Sequence, residues 1–311
     1  MAVVPALTRR HFTGLALATL PTMTARAATP LIYAVGVDPA YTPIFVAGER
    51  KLFQAGGQDV QVQQFSQGGD ALDSVVAGQA TFAGAADSTV ITRMARAQLR
   101  GLAIYEESGR YIKLVARKGI TEAGQIRKLG IVPGTVSEYC AGLLLQKLAP
   151  PAGAVELVRS GPPELPALLV RGDIDAVFVW EPWPSMAVKQ GGNILMTSGD
   201  VGYAYTMWIT VTAAWLHENE PVAHKVVAAL AQACEMVRAD PTVGAAAVQA
   251  QARLPAAQTL GFLQEVDCRV RDFTPADITA YERIANFLAE RKITTGVVDI
   301  RGQLLPGFFQ G

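Results

Sequence analysis

Cysteine and histidine are scarce in this 311-residue chain, with three of each. Cys140, Cys234 and Cys268 have no metal-like spacing, and an odd number cannot be fully paired within one chain. A Cys140–Cys268 bridge would leave over Cys234, which falls in the strongly helical run 223–238 and reads as a small core residue. His217 and His224 lie in helix-like sequence beside Glu218 and Glu220, so metal chemistry has few donors and no metal or cofactor is expected. An excess of charge is also missing, since 27 basic residues face 27 acidic ones. That balance argues against a nucleic acid or a membrane surface as partner. No long apolar run is present near the start: Phe12 to Leu20 is too short to span a bilayer and is followed by Pro21.

What the first residues do carry is an address. Thr8-Arg9-Arg10-His11-Phe12 opens the short apolar stretch, and Ala25-Arg26-Ala27 supplies small residues where a signal peptidase cuts. The paired arginines look like a twin-arginine export signal over residues 1–27. No cysteine follows the cut, so no lipid anchor is expected and the protein reads as a soluble periplasmic one. Removing residues 1–27 leaves 284 residues with 24 basic and 27 acidic side chains, a mildly acidic chain long enough for two lobes with their own cores.

Two stretches repeat one pattern. Glu164 to Arg171 is helix-like, Gly172 turns, Ile174 to Trp180 is apolar, and Glu181-Pro182 stops the run. Earlier, Asp73 to Ala77 leads to Gly78, an apolar run Thr81 to Ala86, and a stop at Asp87-Ser88. Each reads as helix, glycine turn and short buried strand. Around the first copy, Leu31 to Val37 predicts a strand, Ile44 to Phe53 a helix, Val60 to Phe65 an alternating strand and Val90 to Arg100 a helix. Around the second, Leu129 to Val132 is a strand, Thr135 or Ser137 caps a helix running to Leu148, and its free N–H groups favour an anion. Alternating strands and helices imply right-handed crossovers and parallel sheets, with ligands outside the carboxyl ends of the strands. Gly119 to Gln125 reads as the crossing out of the first lobe. Tyr203 to Thr212 reads as the return, followed by helices over 213–218, 221–238, 241–252 and 275–291.

The series Pro43-Ile44-Phe45-Val46-Ala47 with Leu52-Phe53, Gly78 before a strand, Gly130-Ile131-Val132-Pro133-Gly134-Thr135, and Gly172-Asp173-Ile174-Asp175-Ala176 with Trp180-Glu181-Pro182 resembles the substrate-binding proteins of ABC importers for nitrate, alkanesulfonates, taurine and thiamine pyrimidine precursors. The likeness spans nearly the whole chain after residue 27. Gln79-Ala80-Thr81 and Ala55-Gly56-Gly57 depart from the family's usual acids, which weakens assignment to a ligand subclass. The resemblance implies a two-lobed periplasmic binding protein of type II. Each lobe is a mixed, mainly parallel sheet flanked by helices, lobe 1 from 28–118 and 210–311 and lobe 2 from 119–209, joined by two crossings.

It also implies a monomer that delivers a small-molecule ligand to a membrane permease and a cytoplasmic ATPase. The ligand residues it suggests at strand ends and helix starts are Tyr41, Thr42, Gln67, Gly68, Asp87 and Ser88 in lobe 1. In lobe 2 they are Thr135, Ser137, Glu138, Trp180 and Glu181. Tyr41 and Trp180 could sandwich a flat or apolar group. The ligand is expected to be a small polar organic molecule or an anion of the sulfonate, nitrate or taurine kind. An inward Glu138 or Glu181 would instead favour an amine or amidine, as in a pyrimidine precursor. Relatives also include a desulfinase and a pyrimidine synthase, which need a nucleophilic cysteine or a histidine. Here Cys140 alone is near a site loop, no histidine is placed to activate it, and a binding protein rather than an enzyme is expected.

Overall fold

Short apolar runs separated by glycine turns become strands because their alternate or continuous side chains can be covered on both faces. The computed structural model describes residues 1–3 and 30–310, so the expected export signal lies outside the described residues. The chain begins with β1 (Leu31–Val35), α1 (Thr42–Glu49), α2 (Leu52–Ala55), β2 (Val60–Gln64), α3 (Gly68–Val76), β3 (Phe82–Ala86), α4 (Asp87–Met94) and β4 (Leu99–Ser108). It continues with β5 (Lys113–Ala116), β6 (Lys128–Ile131), α5 (Val136–Leu148), β7 (Glu156–Arg159), α6 (Leu165–Arg171), β8 (Ala176–Val179), α7 (Trp183–Lys189) and β9 (Asn193–Thr197). The remainder is β10 (Tyr205–Thr212), α8 (Ala213–Ala239), α9 (Pro241–Ala252), α10 (Ala256–Leu263), β11 (Asp267–Arg271), α11 (Pro275–Glu290) and α12 (Ile300–Gln303).

Two mixed sheets result, ordered β11-β4-β10-β3-β1-β2 and β7-β6-β8-β5-β9. In the first, β1 pairs in parallel with β2 and β3, and β10 runs antiparallel between β3 and β4. In the second, β6 pairs in parallel with β7 and β8, and β5 runs antiparallel between β8 and β9. The two halves therefore share one plan, with β5 holding in the second sheet the place that β10 holds in the first. Each of these strands has just arrived from the other sheet. The repeat visible in sequence falls on β3 and β8, each the third parallel strand of its sheet. Its glycines explain the likeness: Gly78 and Gly172 have φ of 71° and 77°, a left-handed turn that a side chain resists.

Four expectations change. Lys113–Ala116 pairs with β8 and β9, so the outward passage lies at 109–112 instead of within 119–125, before the expected lobe boundary at 118/119. All of β10 belongs to the first sheet, so the return lies at 198–204, ahead of residue 210. The helix expected over 90–100 ends at Met94, because Leu99 and Arg100 are taken into the ladder with β10. The helix expected over 44–53 is split by Lys51, whose φ is 54°. The short α10 and β11 were not anticipated.

The larger core lies around the first sheet, with Tyr33, Phe45, Phe53, Phe82, Tyr105 and Trp208 fully buried. A separate cluster of Val115, Leu165, Ile174 and Val177 lies on one face of the second sheet. Full burial of each such side chain contributes about 1.5–3 kcal/mol. Cys140 lies in α5 against the second sheet and Cys268 in β11 at the edge of the first, so the structure does not bring them together.

Candidate functional site

Parallel strands deliver their following loops to one edge, and here the edges of both sheets face a shared cavity, with about 400 Å³ of empty space when its opening to solvent is included. From the first lobe come Asp38, Ala40, Tyr41, Gln67, Gly68, Gly69, Ala86, Thr89, Tyr205 and Met207. The other lobe brings Thr135, Val136 and Trp180, and the outward passage brings Tyr111 and Ile112. Of the residues expected from sequence, Tyr41, Gln67, Gly68, Thr135 and Trp180 meet at this cavity. Tyr41 and Trp180 reach it from opposite lobes.

Local chemistry accounts for the placement. Tyr41 lies in the turn between β1 and α1, against two glycines that allow close approach. A Cβ on Gly68 would come within 2.5 Å of the Tyr41 hydroxyl, and one on Gly36 within 2.8 Å of its ring. Three helices start at the cavity: α3 at Gly68 and Gly69, α4 with Thr89 in its first turn, and α5 at Val136. Their positive ends suit a partial or full negative charge. Thr135 is the cap of α5, accepting from the Ser137 amide at 3.2 Å and donating to the Val132 carbonyl at 2.8 Å.

The other expected residues are engaged elsewhere. Thr42 donates to the Pro39 carbonyl at 2.5 Å, and Ser137 accepts from the Val132 amide at 3.0 Å, so both secure turns. Glu138 accepts from the Gly134 amide at 2.8 Å and pairs with Arg159 at 3.3 Å, outside the cavity lining. Asp87 lines a separate groove, where it accepts from the hydroxyls of Tyr203 and Thr206 and from the Thr206 amide. Burial pushes its carboxyl up to about 6 despite those donors. Ser88 is buried with an unpartnered hydroxyl.

Glu181 ties parts of the molecule together. It accepts from the Ser185 amide at 3.3 Å and from the Gln258 side chain of α10 at 3.2 Å, and it lies 3.6 Å from the Lys113 ammonium. Lys113 in turn pairs with Glu265 at 2.8 Å. A further tie crosses between lobes at Arg93, which donates to the Gly134 carbonyl at 2.6 Å and pairs with Asp73 at 3.4 Å.

The acid inside the cavity is Asp38, a residue the sequence presents only as part of a turn. It accepts from the Ala40 amide at 3.0 Å and from the Tyr111 hydroxyl at 3.2 Å. Burial raises its carboxyl to about 7, against the pull of those two donors. Behind Tyr205 lies Glu106, fully buried and bonded to the Tyr205 hydroxyl, and burial raises it well above the usual carboxylate range. Among the described residues lining the cavity there is no lysine, arginine, histidine or cysteine. Cys140, the nucleophile considered from sequence, is buried in α5 away from that lining, and burial pushes its thiol up. No group of three or more His, Cys, Asp or Glu among the described residues could hold a metal ion.

The sequence profile of the NMT1-like family matches residues 37–252. Among solved structures, the periplasmic aliphatic sulphonate binding protein SsuA from Escherichia coli superposes with a TM-score of 0.78 at 16% identity, over 91% of this chain and 94% of that one. The periplasmic nitrate-binding protein NrtA from Synechocystis PCC 6803 gives 0.69 at 14% identity, over 88% and 84%. The desulfurization enzyme DSZB gives 0.64 at 16% identity, over 90% and 97%. At these identities the likeness is one of fold, that of periplasmic binding proteins. No curated protein matches in sequence.

Proposed function

The chain belongs to the NMT1-like family, and from that premise we propose that it is an exported solute-binding protein of an ABC importer. It captures a small polar organic molecule between its lobes and presents the closed form to a membrane permease, with a cytoplasmic ATPase driving uptake. The lobes run from 30 to 108 with 205–310, and from 113 to 197. The paired arginines at Arg9-Arg10 support export by the twin-arginine route. The described residues contain no helix long and apolar enough to cross a membrane.

The observation that carries the ligand assignment is Asp38, the one acid in a cavity whose described lining has no basic side chain. A carboxylate moved out of water needs a donor or a positive charge beside it. Tyr111 and the Ala40 amide supply part of this, and a ligand amine or ring N–H supplies the rest. Tyr41, Tyr111, Trp180 and Tyr205 offer faces for a flat or apolar body. The ligand class that fits is a nitrogen-bearing ring such as an aminopyrimidine. The helix starts at Gly68, Thr89 and Val136 support a second reading, in which a sulfonate or carboxylate group is held by backbone amides. A zwitterion of the taurine kind would use both features.

Thermal melting of the protein from Ala28 onward against aminopyrimidines, taurine, sulfonates and nitrate tests the assignment. A bound ligand at a hundredfold excess over Kd stabilises by about 2.7 kcal/mol. A response to nitrogen-bearing rings alone supports the Asp38 reading, whereas a response to sulfonates or nitrate alone overturns it in favour of the helix starts. The pH dependence of Kd adds an independent sign. A ligand N–H at Asp38 favours the carboxylate, so binding tightens as pH rises toward about 7. An anion there favours the neutral acid, so its binding is level below about pH 7 and weakens as pH rises above it.

A further inference from the structure

Two of the three cysteines, well separated in sequence, meet in the fold. Cys234 is on α8 and Cys268 on β11, the edge strand of the first sheet, and both are buried. The neighbouring strand β4 locates them. The Cys234 Sγ lies 3.7 Å from the Tyr105 carbonyl. Cys268 is the ladder partner of Glu106, the very next residue. α8 packs directly on β11, and the neighbouring Cys234 thiol together with burial raises the Cys268 thiol. Cys140 has no part in this cluster, because α5 packs against the other sheet.

We propose that Cys234 and Cys268 form a disulfide in the exported protein, pinning the edge strand β11 to α8. In an oxidising compartment such pairs are oxidised by exchange with a disulfide partner. A Sγ–Sγ bond forms, each thiol gives up its proton, and the two electrons go to the partner disulfide, which is cleaved to two thiols. Oxidised glutathione is a sufficient partner of this class. On the twin-arginine route the chain crosses already folded, so the two buried thiols are reached after export, when the edge strand β11 opens locally from α8. A bridge here fastens an exposed sheet edge that is otherwise held on one side by β4, and it constrains the unfolded chain over the segment between the two residues.

The test uses the full chain refolded with oxidised glutathione, followed by thiol counting under denaturing conditions, intact mass and peptide mapping. The expected result is one free thiol at Cys140, a mass lower by two hydrogens and a linked peptide pair containing Cys234 and Cys268. Oxidation should raise Tm in the parent and in Cys140→Ser, and the rise should be absent in Cys234→Ala and in Cys268→Ala. If one of these two alanine variants does not fold, the other together with peptide mapping of the parent still decides. Three free thiols after refolding, only glutathione adducts, or a linkage through Cys140 would overturn the proposal. None of these readouts depends on the ligand or on the export route.

Discussion

At the scale of single residues, the buried acids set the sensitivity of this protein to pH. Burial is the leading cause of the shift at both Asp38 and Asp87, raised to about 7 and about 6. A carboxyl whose folded value lies above its unfolded one contributes stability that is complete below about pH 4, and that stability is lost as pH rises through the folded value. The ligand-free protein should therefore lose stability between about pH 4 and about pH 7, by an amount on the order of a few kcal/mol. Replacing Asp38 with Asn removes one of the two ionisations and should flatten that loss, measured by urea unfolding at the two ends of the range. An unchanged slope would show that Asp38 is better solvated than its position implies. The sequence presents Tyr41, Gln67, Gly68, Thr135 and Trp180 as candidates because they follow strands or begin helices, and all five line the cavity. Asp38 also follows a strand, but an Asp before Pro39 reads first as turn chemistry, and nothing local says that its carboxyl is out of water. Glu181 lies outside the lining, and its partner Gln258 is 77 residues away on a helix that the local pattern does not show.

At the scale of elements, the contact between α5 and α11 joins the two lobes. A Cβ on Gly142 would collide with the Phe287 ring. Tyr139, one turn earlier, packs edge-on to both Phe287 and Tyr203, with centroids 5.0 and 4.9 Å away. Gly142→Ala should therefore push α11 from α5 at a cost of about 1–3 kcal/mol. Phe287→Leu in the same chain should return part of it, seen as a coupling energy in a double-mutant cycle. Additive effects would mean that the helices separate freely without the glycine. The strands and most of the long helices were legible, since their periodicity is local and strong. The pairing of β5 and β10 was not, because an apolar run of four to eight residues carries no mark of which sheet will take it. That choice follows from the sheets as wholes: each has an open edge beside its third parallel strand, and the chain entering from the other lobe fills it.

At the scale of the whole molecule, the three ties between lobes decide how firmly the cavity is shut. Lys113 with Glu265, Gln258 with Glu181, and Arg93 with Gly134 each join a side chain of one lobe to the other, or to the segment beside it. Gln258 reaches Glu181 with a neutral side-chain amide, and Lys113 with Glu265 is a part-buried ion pair. The Arg93 contact differs, since this nearly buried guanidinium reaches a backbone carbonyl in the loop that leads into α5. A hydrogen bond from a charged group is worth about 1.5–3 kcal/mol, and this one exists only when the lobes are together. Closed-state stabilisation adds directly to apparent ligand affinity, because a ligand that binds the closed form must otherwise supply the closing energy itself. Arg93→Ala should thus weaken binding about tenfold and increase the radius of gyration of the ligand-free protein in X-ray scattering. Asp73→Ala separates the two roles of Arg93, for it removes the ion pair within lobe 1 and leaves the bond to Gly134. If the latch is the bond between lobes, Asp73→Ala stays compact and binds nearly as the parent does, while Arg93→Ala opens. If both variants open alike, the ion pair holds Arg93 in place and closure depends on the whole Asp73–Arg93–Gly134 chain. If neither changes in size or affinity, closure rests on the other contacts between the lobes.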